Sequence, residues 1–308
     1  MTSASLTRGF VTVFTVTLCV SMTAPQARGL DVDEIVKRHT EALGGEAQLS
    51  ALKSLRLVGK ISFGNGDSSI ELRWTSLMKR PGRIRQEASL QGMTGVFTYD
   101  GKEGWQVQPF EGRRDPEHTS PDDSKELAQQ ADFEGPVVNW KTKGFSVAYL
   151  GPEDVDGTAA LKLKVTRPTG DFEYLFLDPA AFLAIRSEKH NFVRGTEQIS
   201  EIDYGNYEQV GGVWLPFAVE SGAKAQPRSQ RVTIERAEPN PEFADSLFEF
   251  PKSKDAVKPT PAPPADAPNQ VKPGSSTRPQ PVGGAKVARL DAGVVSGLGG
   301  PEHWVGGN

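Results

Sequence analysis

Between Leu55 and Glu238 the chain alternates apolar and polar residues with a period of two. In LRLVGKISF, Leu55, Leu57, Ile61 and Phe63 share one face, while Arg56, Lys60 and Ser62 share the other. In SIELRWTS, Ile70, Leu72 and Trp74 oppose Glu71, Arg73 and Thr75. Runs of this kind predict half-buried strands, and the GNGD between them predicts a hairpin turn. The signature repeats in RIRQEASL, GVFTYD, GWQVQPF, ALKLKVTR, FEYLFLD, LAIRSEKHNF, EQISEIDYGNYEQV, VWLPFAVES and SQRVTIERAE. Turns such as Asp100-Gly101, Asp156-Gly157 and Gly211-Gly212 separate many of them. One wet and one dry face per strand mark an antiparallel sheet covered on one side. About eleven strands exceed what a twisted open sheet holds without curling.

Helical spacing occurs in three places. In VDEIVKRHTEALGG, Val32, Ile35, Val36 and Leu43 recur on one stripe, Asp31 or Asp33 starts the helix, and Gly44-Gly45 stop it. EAQLSALKSL follows with Leu49 and Leu52 on an apolar edge. Between Gly112 and Gly144 the strand pattern breaks, and SPDDSKELAQQADF reads as a helix with a serine N-cap and an acidic first turn. PVVNWKTK, with Trp140, is helical or irregular. This insertion is either a lid over the sheet or a plain crossover. So few helices cannot cover both faces of such a sheet. The expected fold is therefore α+β: a strongly curved antiparallel sheet, an unclosed half-barrel, with helices on its concave face. A β-sandwich is the second architecture.

Outside this region the composition changes. Arg8, the apolar run Gly9 to Met22 and the small residues of Ala27-Arg28-Gly29 form the three parts of a secretory signal. The run is shorter than the roughly 20 residues of a spanning helix, so residues 1–29 read as a cleaved signal ending at Gly29, with an uncleaved anchor as the alternative. Cys19 is the sole cysteine; Leu18 before it does not fit a lipid-modified signal, and the mature chain is expected to hold no disulfide. Residues 30–251 form the expected domain. Residues 252–308, rich in Pro, Ala, Ser and then Gly, read as a disordered linker and tail. With a net charge of -4 and no dense Lys/Arg run, nucleic acid is not an expected partner.

The residues that carry chemistry are scattered. None of His39, His118, His190 and His303 stands at metal-ligand spacing to another, and His39, flanked by charges, reads as solvated. Nucleophile-elbow, phosphate-loop and dinucleotide fingerprints are missing from the sequence. The acidic pairs read as structural: Asp122-Asp123 as a helix start, Glu153-Asp154 as a turn, and Glu201 with Asp203 as the polar face of a strand. Asp291-Ala292-Gly293 has the wrong middle residue and too little chain after it for an aspartic-protease loop. No catalysis, metal or cofactor is expected.

Apolar and aromatic side chains remain. Sparse helices leave the concavity of a curved sheet unfilled, and such a cavity suits a lipid. The candidate lining residues are Leu57, Ile61, Leu72, Trp74, Phe97, Trp105, Trp140, Phe176, Trp214 and Phe217. HTEALGGEAQLSALKSLRLVGKI, YDGKEGWQV, YLGPEDVDGTAALKLKVTRPTGDFEYLFLDPAAFLAIRSE, YGNYEQVGGVWLPFAVE and DSLFEFP, in that order, resemble the outer-membrane lipoprotein-sorting (LolA-like) proteins. The resemblance covers Leu30 to Pro251. It implies an unclosed barrel with a helical lid, in the periplasm, whose cavity takes lipid or lipoprotein acyl chains. Membrane proteins of the envelope are further expected partners, and the chain is expected to be a monomer. It also implies a lid-contacting arginine, for which Arg73, Arg83 and Arg85 are open candidates. The alternative is an envelope sensor or tethering module of the same fold that transports nothing.

Overall fold

The computed structural model describes residues 30–64, 69–193, 195–252, 257, 259–260 and 271–272. The N-terminal leader with Cys19, most of the GNGD turn, and most of the tail with Asp291 and His303 lie outside the described residues.

Alternating sequence becomes two antiparallel meanders. The first runs through β1 (Ser54–Phe63), β2 (Ile70–Lys79), β3 (Arg83–Leu90), β4 (Met93–Tyr99), β5 (Gly104–Gln108) and β6 (Arg113–His118). The second runs through β7 (Ser146–Val155), β8 (Thr158–Thr166), β9 (Phe172–Leu177), β10 (Ala184–Val193), β11 (Thr196–Val210), β12 (Val213–Ala223) and β13 (Gln230–Pro239). They fuse where β1 pairs with β13, so thirteen strands follow one path from β6 at one end to β7 at the other. The ends do not pair, and the sheet stays an unclosed half-barrel. β6 and β7 are the two strands beyond the eleven read from sequence. An edge strand needs no regular alternation, and both carry a proline of the kind sheets confine to their margins.

The fusion depends on one glycine. The register of β1 against β13 shifts between Val58 and Gly59, a bulge that adds local twist and bends the strand. A Cβ at Gly59 would stand 2.0 Å from the Thr233 carbonyl oxygen, so any other residue there would force the meanders apart.

Among the described residues three α-helices lie on one face of this sheet. α1 (Val32–Leu43) buries Ile35, Val36 and Ala42 against Leu161, Leu163, Leu175 and Leu177 of the second meander. It ends at Gly44, φ 127°, where an added Cβ would meet the Gly212 carbonyl oxygen at 2.3 Å. α2 (Glu46–Ala51) places Leu49, followed by Leu52, against β1, β12 and β13. α3 (Pro121–Gln130) belongs to the chain that links the two unpaired sheet ends. The segment after it, with Trp140, forms turns rather than a helix.

The opposite, convex face is covered by the chain beyond β13. Phe243 and Phe248 close over Leu77 of β2. The Trp105 indole N–H donates to the Phe248 carbonyl at 2.8 Å, and Phe250 meets the same ring edge-on. Beneath this strap Arg85 and Glu87 form a buried ion pair, Arg85 donating to the Leu247 carbonyl and Glu87 accepting from the Thr260 hydroxyl and amide. Val257 also packs on the Trp105 cluster, and Val271–Lys272 pairs with Gln209–Val210 of β11. These described residues of the tail therefore lie against the sheet.

Candidate functional site

Between the sheet and its helices lies a chamber of about 570 Å³. Leu55 and Leu57 of β1, Trp74 and Met78 of β2, Leu215 and Val219 of β12 and Ile234 of β13 form its floor. Leu43 of α1, Leu49 of α2 and Phe133 beyond α3 form its roof. The pairing places Leu57 opposite Ser76 and Ala237, so the floor is the inward parity of adjacent strands.

α3 forms because its start is capped. The Ser120 hydroxyl accepts the Asp123 N–H at 3.1 Å, Pro121 opens the first turn, and Asp122 and Asp123 complement the helix dipole. Leu127 points into the apolar cluster, and the flanks of the helix are polar. On one flank the Gln86 amide of β3 donates to Gln130 at 3.1 Å. On the other, Lys189 of β10 meets Glu126 at 3.0 Å and Lys125 meets Asp171 at 3.3 Å. α3 thus bridges the two meanders across the concavity, which favours the lid over the plain crossover.

The electrostatics of this latch are decided by pairing. Burial alone would lower the Lys189 pKa, but the charges of Glu126 and Glu173 outweigh it and the net shift is upward. Burial would likewise raise Glu126, but the charge and hydrogen bond of Lys189 bring it below its ordinary value. In two further groups of the wall burial is the leading influence. His39 is buried, its Nδ1 2.7 Å from the Phe182 carbonyl, so Nδ1 carries the proton; burial lowers its pKa and the hydrogen bond offsets part of that. Burial raises the Tyr207 phenol far above its usual range, and its hydroxyl donates to the Ala184 carbonyl. The solvated reading of His39 is corrected here: its flanking charges point outward, while Ile35, His39 and Ala42 share the buried stripe of α1.

A second chamber, about 480 Å³, shares Trp74, Gln86, Gln130 and Val232 with the first. Its lining also includes Phe97, Gln106, Gln108 and Gln230 from the strands and Arg113, Ser120 and Asp123 from the β6 side. Among the described residues no group of three or more His, Cys, Asp and Glu side chains is arranged to hold a metal. Of the acidic pairs, Asp122-Asp123 opens α3, Glu153-Asp154 lies on β7 rather than in a turn, and Glu201 and Asp203 are held by Arg228 and Arg186 on the convex face.

The same arrangement of strands and helices occurs in a LolA-superfamily protein from Nitrosomonas europaea, over 72% of this chain and 98% of that one, with a TM-score of 0.51 and 15% identity. The chain has the LolA-type fold. A candidate outer-membrane lipoprotein-sorting domain from Vibrio parahaemolyticus matches over 71% of this chain and 97% of that one at 12% identity, with a TM-score of 0.48. No protein-family profile matches the sequence, and no curated protein does. At such identity the likeness is one of fold alone.

Within the LolA-type fold the ten residues expected to line a cavity divide. Leu57, Trp74 and Trp214 line the larger chamber, and Ile61, Trp74 and Phe97 the smaller. Leu72 and Phe217 are buried in the central cluster behind those walls. Trp140 packs, half-buried, on the cluster under α1. Trp105 and Phe176 stand on the convex face, Trp105 under the strap and Phe176 beside Val155, Ala160 and Ile185. Arg83 and Arg85 are engaged on that face too, with Asp245 and Glu87. An arginine outside those candidates, Arg80, reaches the lid segment: it pairs with Glu134, donates to the Leu49 and Leu52 carbonyls and lies 4.8 Å over the Phe133 ring.

Proposed function

We propose that this protein is an exported, non-catalytic carrier that holds lipid or lipoprotein acyl chains in the larger chamber and releases them when α3 moves. The observation that carries the reading is the chamber of about 570 Å³, with a floor of apolar side chains and one wall formed by α3, which is attached through polar contacts. The apolar lining of such a space forgoes dispersion contacts that an apolar ligand restores. About twelve buried methylenes would contribute roughly 10 kcal/mol gross, against an association cost of about 4–15 kcal/mol. The balance is reversible binding, which a carrier requires. The leader pattern of residues 1–29 supports export to the periplasm.

A second reading, an envelope tether that transports nothing, is favoured by the Pro-rich stretch beyond Pro251. One experiment separates them. Protein purified from its native envelope without detergent should carry lipid in native mass spectrometry, and the delipidated protein should bind a fluorescent fatty acid. Ile234→Glu, which places a carboxylate in the chamber floor, should abolish that binding. A lipid-free protein that also ignores the fatty acid would end the carrier reading and leave the tether.

A further inference from the structure

The smaller chamber differs in chemistry from the larger, and it lies directly beside it. Five glutamines face it: Gln86, Gln106, Gln108, Gln130 and Gln230. Three of them, Gln106, Gln108 and Gln230, are largely buried, at 7%, 2% and 5% exposure. Their hydrogen bonds are only partly made within the protein. Gln106 accepts from Gln108 at 2.6 Å, leaving its amide protons open; Gln86 donates to Gln130, leaving its carbonyl open. The Gln230 carboxamide has no side-chain hydrogen bond to any described residue. None of these amide atoms is both sealed from the chamber and unpaired; their open valences face the chamber, where water or a ligand pairs with them.

The charges define what does so. Among the described residues lining this chamber, the basic groups are Arg113 and His118. Arg113 already pairs with Glu111 and Glu117 and donates to Gln108 at 2.6 Å. His118 stacks on Phe250 and stands 3.7 Å from Glu103. Four carboxylates, Glu87, Glu117, Asp123 and Glu126, complete the ring. A phosphate would meet four carboxylates and, among the described lining residues, no uncommitted cation. Hydroxyl or amide groups, which donate and accept at once, match the open valences of Gln86, Gln106 and Gln230.

Resting on the carrier reading, we infer that the ligand is an amphiphile with an uncharged hydroxyl- or amide-bearing head group, the head in the glutamine chamber and the acyl chain in the apolar one. Trp74, Gln86, Gln130 and Val232 are the shared wall past which the molecule passes. The Gln86–Gln130 bond joins the sheet to α3 at that wall, so movement of the lid opens both chambers together.

The test is displacement of a fluorescent fatty acid from the mature, delipidated chain by a dialkyl glycerol-linked sugar, by phosphatidylglycerol of the same chain length, and by the free sugar. The neutral glycolipid should compete at least about tenfold better than the anionic lipid, the equivalent of one enclosed hydrogen bond. Gln230→Leu and Gln106→Leu should erase that ratio while leaving fatty-acid affinity intact, which also reports correct folding. The isosteric Gln230→Glu, which loses the donors and adds charge, should weaken the glycolipid too. Equal competition by the two lipids, or a ratio that survives all three substitutions, would overturn the inference while the carrier reading stands. Free sugar that binds as tightly as its lipid would overturn the amphiphile. Failure of the fatty acid itself to bind would instead remove the carrier reading, and this inference with it.

Discussion

Replacing Lys189 by methionine removes the cation that grips α3 while keeping a side chain of similar length. The Lys189–Glu126 separation is 3.0 Å, and the two side chains retain 13% and 21% exposure. At an effective dielectric of about 20, unit charges at that distance attract by about 5–6 kcal/mol gross. Desolvation cancels part of this, and loss of one partner from a buried pair costs about 3–5 kcal/mol. The residual exposure places Lys189→Met near the lower limit, at about 3 kcal/mol, because Glu126 loses its ion-pair partner while Glu173 keeps Arg167. Glu126→Gln should cost about 1–2 kcal/mol, since Lys189 keeps Glu173 and an amide oxygen still accepts its proton.

Urea unfolding followed by tryptophan fluorescence measures both effects. With a slope of about 2 kcal/mol per molar, Lys189→Met should lower the midpoint by about 1.5 M. The double variant should show a coupling energy of more than about 1 kcal/mol. The same lesion should speed exchange of bound fluorescent fatty acid in stopped flow, because the helix then hangs on its other contacts. Single variants within about 0.5 kcal/mol of the parent, with no coupling and unchanged exchange, would refute the latch. Its pH dependence follows from the shifts. Glu126 contributes fully above the ordinary glutamate value of 4.5, and that contribution is lost as pH falls through its depressed folded value. Lys189 contributes fully below 10.5, and loses its share as pH rises through its raised folded value. The latch is therefore closed across the neutral range and opens in acid.

His39 refuses a proton that the unfolded chain accepts, so stability should fall as pH drops from 6.5 toward its lower folded value, by up to about 1.4 kcal/mol per unit. His39→Gln, which keeps a donor for the Phe182 carbonyl, should flatten that slope in urea titrations at about pH 7.5 and about pH 5.5. Gly59→Ala should cost more than about 3 kcal/mol or prevent soluble expression, whereas Gly205→Ala, with nothing within 4 Å of its added Cβ, should leave the thermal midpoint nearly unchanged. Trp105→Ala should destabilise by about 3–5 kcal/mol yet leave fatty-acid affinity intact in the folded fraction, while Trp74→Ala should change both. Equal affinity losses from the two tryptophan variants would contradict the assignment of Trp105 to the convex face.

Much of the sheet was legible because alternation is a local signal: the inward parity of Leu57 and Ile61, and of Leu72 and Trp74, follows from the pattern of β1 and β2 alone. Which parity faces the helices is not local. In GWQVQ, Trp105 and Val107 share one face and Gln106 and Gln108 the other, and hydrophobicity alone would turn the first pair toward the concavity. The strap of Phe243, Phe248 and Phe250 covers the convex side instead, so the tryptophan faces the strap and the glutamines face the chamber. Phe176 also faces outward, among Val155, Ala160 and Ile185 and under the Lys162 ammonium, with Leu175 and Leu177 taking the inward positions of β9. The latch was illegible for a related reason: Lys189 and Glu126 sit on elements far apart in sequence, and neither carries a motif. His39 was within reach, since its spacing from Ile35 and Ala42 puts it on the apolar stripe whatever the charge of its neighbours. In a sheet with apolar residues on both faces, polarity in the concavity is therefore set by what covers the other side. The polar lining of the smaller chamber follows from an aromatic strap that sits outside it.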